Sequence, residues 1–277
     1  MKRPTFAAAV SIDMRLSGAR TIVTGASSGI GRAIALEFAR RGAQVVLASR
    51  NGDALNDLSA SIKAEGGRAI ARPTDVTDTT ALDRMVSTTV DELGGIDILV
   101  NNAGIGMHSG IADAAGSDVE ALFRLNVLAA AAAIRAAVPV MRRQGSGLVI
   151  NISSVAGRIV IPRIGYYSAS KFALTAIGDA LRLEESHRGI RVMNVFPGTT
   201  RSRFGENRLG IRGRAAHQRV PPVPAEKVAR RVAIAVERNR RTVYVSWLPD
   251  RIGVAANHVA GWAVAGVLQR WARRAER

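Results

Sequence analysis

The sequence predicts an α/β fold: a doubly wound parallel sheet of about seven strands, helices on both faces, and an extra helix at the C-terminal end. Three observations predict it. Short apolar runs alternate with helical periodicity along the first 200 residues, polar or glycine-rich motifs follow directly on those runs, and no low-complexity linker divides the 277 residues. Such alternation builds parallel strands covered on both faces, with ligands beyond their carboxyl ends. The expected organisation is one domain over residues 1–250 and a basic amphipathic extension over 251–277.

The first strand is Thr21–Thr24, and the loop TGASSGIG, Thr24 to Gly31, joins it to a helical pattern that runs on from Arg32. Glycines permit positive φ and close approach to a backbone without Cβ. A helix starting at such a loop aims its unpaired N–H groups at whatever lies above, which favours a phosphate. A tight turn without a ligand is the competing reading. Five further strands follow: Gln44–Ala48 ends in Ser49-Arg50-Asn51, Arg68–Pro73 in Thr74-Asp75-Val76, Ile96–Asn101 in Asn102-Ala103-Gly104, Gly147–Ile152 in Ser153-Ser154, and Arg191–Phe196 in Pro197-Gly198. Polar groups are thereby expected to gather along one edge of the sheet. Beyond Pro221, Pro222 and Pro224, a helix begins near Ala225, and RRTVYVSW reads as the seventh strand.

The 17 residues from Ile252 to Leu268 are mostly apolar and precede QRWARRAER. They fall short of the ~20 residues that span a bilayer. A helix lying in the interface, with Trp262, Trp271 and the terminal arginines at the headgroups, is one reading; a helix packed on the domain or on a partner subunit is the other.

Net charge is +17, and residues 200–277 hold 17 Lys and Arg against five Asp and Glu, so most of the excess lies in the last quarter. An anionic lipid, nucleic acid or substrate would suit that asymmetry, as would a plain solvated surface. Nucleic acid has no helix-turn-helix or zinc pattern behind it. Cysteine is absent, which excludes disulfides and thiolate chemistry, and four scattered histidines predict no metal site. The N-terminal stretch lacks a signal pattern, so the expected location is cytoplasmic, with peripheral membrane contact through the extension as an addition.

Tyr167 and Lys171 stand four apart in YYSASK, on one face of a helix. An ammonium beside a phenol favours the phenolate, so the spacing predicts a tyrosine with lowered pKa, fit for general acid/base work on an alcohol or carbonyl. Tyr166 points elsewhere.

Together, TGASSGIG, Thr74-Asp75-Val76, Asn101 to Gly104, Asn126 in RLNVLA, Ser154, YSASK and Pro197-Gly198 resemble the short-chain dehydrogenase/reductase family in order and spacing, over roughly residues 16–198. The resemblance implies a Rossmann-like fold and a catalytic set of Asn126, Ser154, Tyr167 and Lys171. Tyr167 would be the acid/base and Lys171 would tune it and hold the nicotinamide ribose. Ser154, 13 residues before the tyrosine, would bind the substrate oxygen, with Ser153 structural, and Asn126 would hold a relay water. Gly25, Ser27, Ser28, Gly29, Ile30 and Gly31 would take the phosphates; Asp75, Val76, Asn102, Ala103 and Gly104 the adenosine; and Pro197, Gly198 and Thr200 would complete the cofactor site with Tyr167 and Lys171. Residues 199–224, rich in arginine, lie where the family places a substrate lid.

Family members that use NAD commonly carry an aspartate where this chain has Ser49, and Arg50 and Asn51 follow. A guanidinium suits the extra phosphate of NADP, so NADP(H) is favoured over NAD(H). The implied function is an NADP(H)-dependent oxidoreductase interconverting a ketone or aldehyde and an alcohol on an apolar or lipid-like substrate, acting as a homodimer or homotetramer. A non-catalytic dinucleotide-binding scaffold with a basic C-terminal interaction surface is the alternative.

Overall fold

Seven parallel strands form one sheet, in the spatial order 242–245, 190–197, 147–152, 98–101, 20–24, 44–49 and 68–73. The computed structural model describes residues 14–201, 203–205, 207–210 and 221–275. From the N-terminal side come β1 (Arg20–Thr24), α1 (Gly29–Arg40), β2 (Gln44–Ser49), α2 (Gly52–Ala64), β3 (Arg68–Pro73), α3 (Thr79–Leu93) and β4 (Ile98–Asn101). The inner strands read as apolar runs, such as Val45 to Ala48, because both faces of the sheet are covered there. Caps fix the helix ends: Asp78 accepts from Thr80 N at 2.9 Å at the start of α3, and Gly94 ends it at φ 79°. β4 begins two residues later than the apolar run, because Asp97 is held by Arg20 (Nε 2.8 Å) and Ile96 N donates to Gln144 Oε1 at 2.8 Å.

The chain continues through a two-residue strand β5 (Met107–His108), α4 (Gly116–Phe123), a π-helical turn (Arg124–Leu128), α5 (Ala129–Gln144), β6 (Gly147–Ile152), α6 (Gly165–Glu185) and β7 (Ile190–Pro197). The helical run 116–144 is apolar and long enough to cross a membrane, yet over half of its most apolar 18-residue stretch is buried inside the protein, and Ala133, Ala137 and Met141 pack against Leu99 and Val149 in one core cluster. It is a core helix. α1 and the later helix over 225–237 cover the opposite face around Phe38, Val228 and Val232. Short strands β8 (Thr200–Arg201), β9 (Leu209–Gly210) and β10 (Val223–Pro224) lead to α7 (Ala225–Glu237) and β11 (Thr242–Val245). The extension, expected as one helix, is two: α8 (Leu248–Val259) and α9 (Gly261–Ala275), parted where Ala260 takes φ −140° and ψ 55°.

Strands are added outward from β1 to β3 on one side and from β4 to β11 on the other. The crevice between the ends of β1 and β4 is therefore the switch point where such sheets bind ligands. Just inside it, Asn101, Asn151 and Asn194 stand at paired positions on β4, β6 and β7. Their amides join across the sheet at 3.0 and 3.2 Å, and Asn194 Nδ2 passes the row to Asp179 Oδ1 of α6 at 3.0 Å. Gly178 admits that row, since a Cβ there would lie 2.4 Å from Asn194 Oδ1.

Glu185, 1% exposed, closes α6 between two guanidiniums. Hydrogen bonds from Arg142 and then Arg188, opposed by burial, lower its pKa from 4.5 to about 2. The folded pKa lies below the unfolded one, so the stabilisation is complete above pH 4.5 and fades as pH falls towards about 2. Glu185→Gln is expected to be less stable than the parent at neutral pH and to lose less across that window in urea titrations; parallel pH profiles for the two would refute the assignment.

Candidate active site

The loop from β1 to α1 is laced to the loop after β4. Asn102 Nδ2 donates to Thr24 O at 2.9 Å and Gly25 O at 3.2 Å, while Thr24 Oγ1 accepts from Asn102 N at 3.0 Å and Ala103 N at 3.1 Å. This closeness demands glycine. A Cβ at Gly25, where φ is +65°, would meet Ala103 Cα at 2.9 Å, and one at Gly31 would meet both Asn102 Nδ2 and Gly25 O at 2.4 Å. Ser27 precedes α1, and Ser28 stands at its N-cap in extended conformation. Ser28 caps no N–H with its side chain, whereas Asn51 and Asp78 cap α2 and α3. The first N–H groups of α1, from Gly29 and Ile30 onward, thus lack a side-chain acceptor at the mouth of a glycine loop, which fits a phosphate.

At the end of β2, Arg50 is exposed and its charge reaches Asp75 after β3. Hydrogen bonds from Thr77 N and Oγ1 (2.9 and 2.8 Å) hold the Asp75 carboxyl below its ordinary range, and Arg50 adds to the effect. Asn51 differs from expectation in part: its Oδ1 accepts from Ala54 N at 3.0 Å as the cap of α2, which leaves its NH2 for a ligand. Ser49 Oγ accepts from Asn51 N at 3.3 Å. Val76 is buried in the core cluster below. Pro197 ends β7, and Thr200 Oγ1 turns back to Gly198 O at 3.0 Å. Gly198 has a reason the sequence did not reveal: a Cβ there would sit 2.7 Å from Asp250 Oδ2 and 2.9 Å from Ser246 Cβ.

Tyr167 and Lys171 share a face of α6. Lys171 Nζ is 5.9 Å from the Tyr167 ring centroid and donates to Ile152 O at 3.0 Å. Burial lowers the Lys171 pKa to about 8. The expected acidified phenol is corrected here: burial pushes Tyr167 up to about 12, against a lowering hydrogen bond with Ser154. Desolvation of the phenol outweighs an ammonium at that distance. At neutral pH the tyrosine therefore carries its proton. Ser154 Oγ also accepts from Ala156 N at 3.1 Å, opening a short 3₁₀ turn. Ser153 is structural, its Oγ donating to Lys171 O at 3.1 Å and lying 2.9 Å from Thr175 Oγ1.

Asn126 is buried in the π-helical turn, a distortion often kept for functional sites. Its Oδ1 accepts from Ile105 N at 2.8 Å, and its Nδ2 donates to Ile105 O at 2.9 Å and Ser170 Oγ at 3.0 Å. It does not touch Lys171 directly. A Cβ at Gly104 would lie 3.0 Å from Asn126 Oδ1 and 3.5 Å from Lys171 Nζ, so this glycine keeps the space between the two open.

Two features escaped sequence reasoning. Phe204 sets its ring edge against Tyr167, centroids 5.8 Å apart at 62°, and reaches Gly106, where a Cβ would be 2.9 Å from it. Strand β9 then pairs with β5, with Leu209 N donating to Gly106 O at 2.9 Å. An aromatic amid the arginines of residues 199–210 was the available signal. Of those arginines, Arg208 lies near His108, whose pKa falls through burial and then the charges of Arg208 and Arg163. Arg212, Arg214 and Arg219 lie outside the described residues, as do the side chains of Arg203, Trp271 and the terminal arginines.

Comparison with known proteins agrees with this geometry. The family model described as short chain dehydrogenase matches residues 19–209. Glycine betaine reductase ATRR of Emericella nidulans is 43% identical over 67% of this chain, and ketoacyl reductase HetN of Nostoc sp. is 39% identical over 66%. The match spans 15% of the length of the first and 64% of the second. A short-chain dehydrogenase/reductase from Burkholderia phymatum in complex with NAD superposes with a TM-score of 0.80 at 25% identity, covering 88% of this chain and 94% of its own. Other matching structures carry NADP or 5-hydroxy-NADP. With a seven-stranded parallel sheet, a glycine cradle at its switch point and a Tyr167/Lys171 face opposite Ser154, the chain belongs to the short-chain dehydrogenase family.

Proposed function

We propose that the protein is an NADP(H)-dependent oxidoreductase that interconverts a ketone or aldehyde and an alcohol. The observation that carries this reading is the meeting of Ser154, Tyr167 and Lys171 within one half-buried cluster, with Asn126 behind it. The bound dinucleotide would supply the hydride. The chain's own part is to orient the carbonyl, exclude water and move one proton. The hydroxyls of Ser154 and Tyr167 would hydrogen-bond the substrate oxygen, and Tyr167 would give its proton there as negative charge develops. Lys171 would hold the ribose and offset the charge left on the phenol. Asn126 would hold a water through which the proton is relayed to solvent.

The cofactor choice rests on Arg50, since Ser49 rather than a carboxylate closes β2. A fluorescence titration of the purified protein with NADPH and with NADH tests it. NADPH should bind more tightly, and Arg50→Ala should weaken NADPH by about tenfold or more while barely changing NADH. An unchanged preference would refute the role of Arg50, and failure to bind either nucleotide would refute the function. Turnover with a panel of ketones, aldehydes and secondary alcohols then identifies the substrate class.

A further inference from the structure

The C-terminal quarter carries a surface that hydride transfer does not use. On α8, Leu248, Ile252, Ala255 and Val259 recur four, three and four residues apart and so lie along one side of the helix. Leu248 is 65% exposed, Ile252 58% and Val259 90%, with Trp262 at 83% in the first turn of α9. Val254, on the other side, is 6% exposed. The helix is thus packed by one face and bare on its apolar one. Six of the 12 large apolar side chains exposed on the described chain fall between Trp247 and Val267, a patch rather than a scatter.

Lys227 and Arg251 border the patch, and α7 carries two further exposed cations. Lys227 Nζ stands 5.7 Å from the Trp247 ring centroid, Arg251 is exposed on α8, and Arg230 and Arg231 are exposed on α7. None of these four has a carboxylate partner among the described residues. The acid of α8, Asp250, is half-buried against Gly198. Arg270, Arg273, Arg274 and Arg277 follow in sequence.

A second copy of the chain would bring like charge against this surface, and an apolar protein face would leave the cations unmatched. An anionic bilayer answers both, taking aliphatic and indole groups at its acyl boundary and the cations at its phosphates. Neither α8, at 12 residues, nor α9, at 15, is long enough to span it. We propose that α8 and the start of α9 form a docking surface on which the protein lies against an anionic lipid bilayer. The proposal is independent of the catalytic reading.

The test is co-sedimentation of the 277-residue chain with sucrose-loaded vesicles, either of phosphatidylcholine alone or of phosphatidylcholine with phosphatidylglycerol. Pelleting with the anionic vesicles, a blue shift of tryptophan emission and release by salt are expected. Ile252→Ser/Val259→Ser should lower partitioning on the order of tenfold or more while leaving circular dichroism unchanged. Absence of wild-type pelleting with anionic vesicles, or equal pelleting of the variant, overturns the proposal. So does a dimer that Val259→Ser dissociates in the absence of vesicle binding, or binding to duplex DNA without binding to vesicles.

Discussion

Tyr167→Phe is expected to lower kcat by about 10²–10⁴-fold and to leave NADPH affinity within a factor of about two. The substitution removes one hydroxyl, and with it the hydrogen bond to Ser154. The ring and its edge contact with Phe204 stay in place. Because burial raises the phenol to about 12 and lowers Lys171 to about 8, the neutral-pH site holds a protonated tyrosine beside a lysine that is still mostly charged. That is the state needed to donate a proton in the reductive direction. Steady-state rates with stopped-flow NADPH binding separate the two effects. A variant keeping more than about a tenth of the rate would take Tyr167 out of the acid role.

Gly31→Ala should act on the cofactor and the fold together. Its Cβ would be placed 2.4 Å from Gly25 O and from Asn102 Nδ2, and the first of these is backbone. The Asn102 amide holds both Thr24 O and Gly25 O, so relief of the clash must open the seam between the two loops. Overpacking of this kind costs about 1–3 kcal/mol, and the displaced N–H groups of α1 would face a phosphate poorly. NADPH affinity is expected to fall by about tenfold to a hundredfold, with Tm lower by several degrees in the absence of nucleotide. An unaltered Tm and Kd would mean that the seam is loose.

Much of this was legible in the chain because the sheet is buried on both faces. Unbroken apolar runs marked six strands to within two residues, and the polar motifs at their ends marked the crevice. Tyr167 and Lys171 were marked by their four-residue spacing, and Ser154 by the family resemblance. What the sequence could not convey were effects of burial and of distant neighbours. The phenol of Tyr167 rises rather than falls because desolvation acts on it more strongly than an ammonium near its ring. Gly198 is required by Asp250 and Ser246, some fifty positions away, and Phe204 reaches Tyr167 through the pairing of β9 with β5. The break at Ala260 has no proline beside it, and the glycine next to it, Gly261, already belongs to α9.

The row of asparagines across β4, β6 and β7 bears on how the strands find their alignment. A slide of one strand by two residues would keep every side chain on its own face, and branched aliphatic groups would pack nearly as well after it. The amides would not. Asn151 would lose both Asn101 and Asn194 and be stranded in a dry interior, at a cost that a shift of Val or Ile never incurs. The row therefore acts as a vernier for the sheet. The loops that leave these strands carry Asn102 to Gly104, Ser154 and Gly198. Rejecting the slid alignments sets where those loops begin, so three buried amides fix the heights at which Asn102, Ser154 and Gly198 are presented.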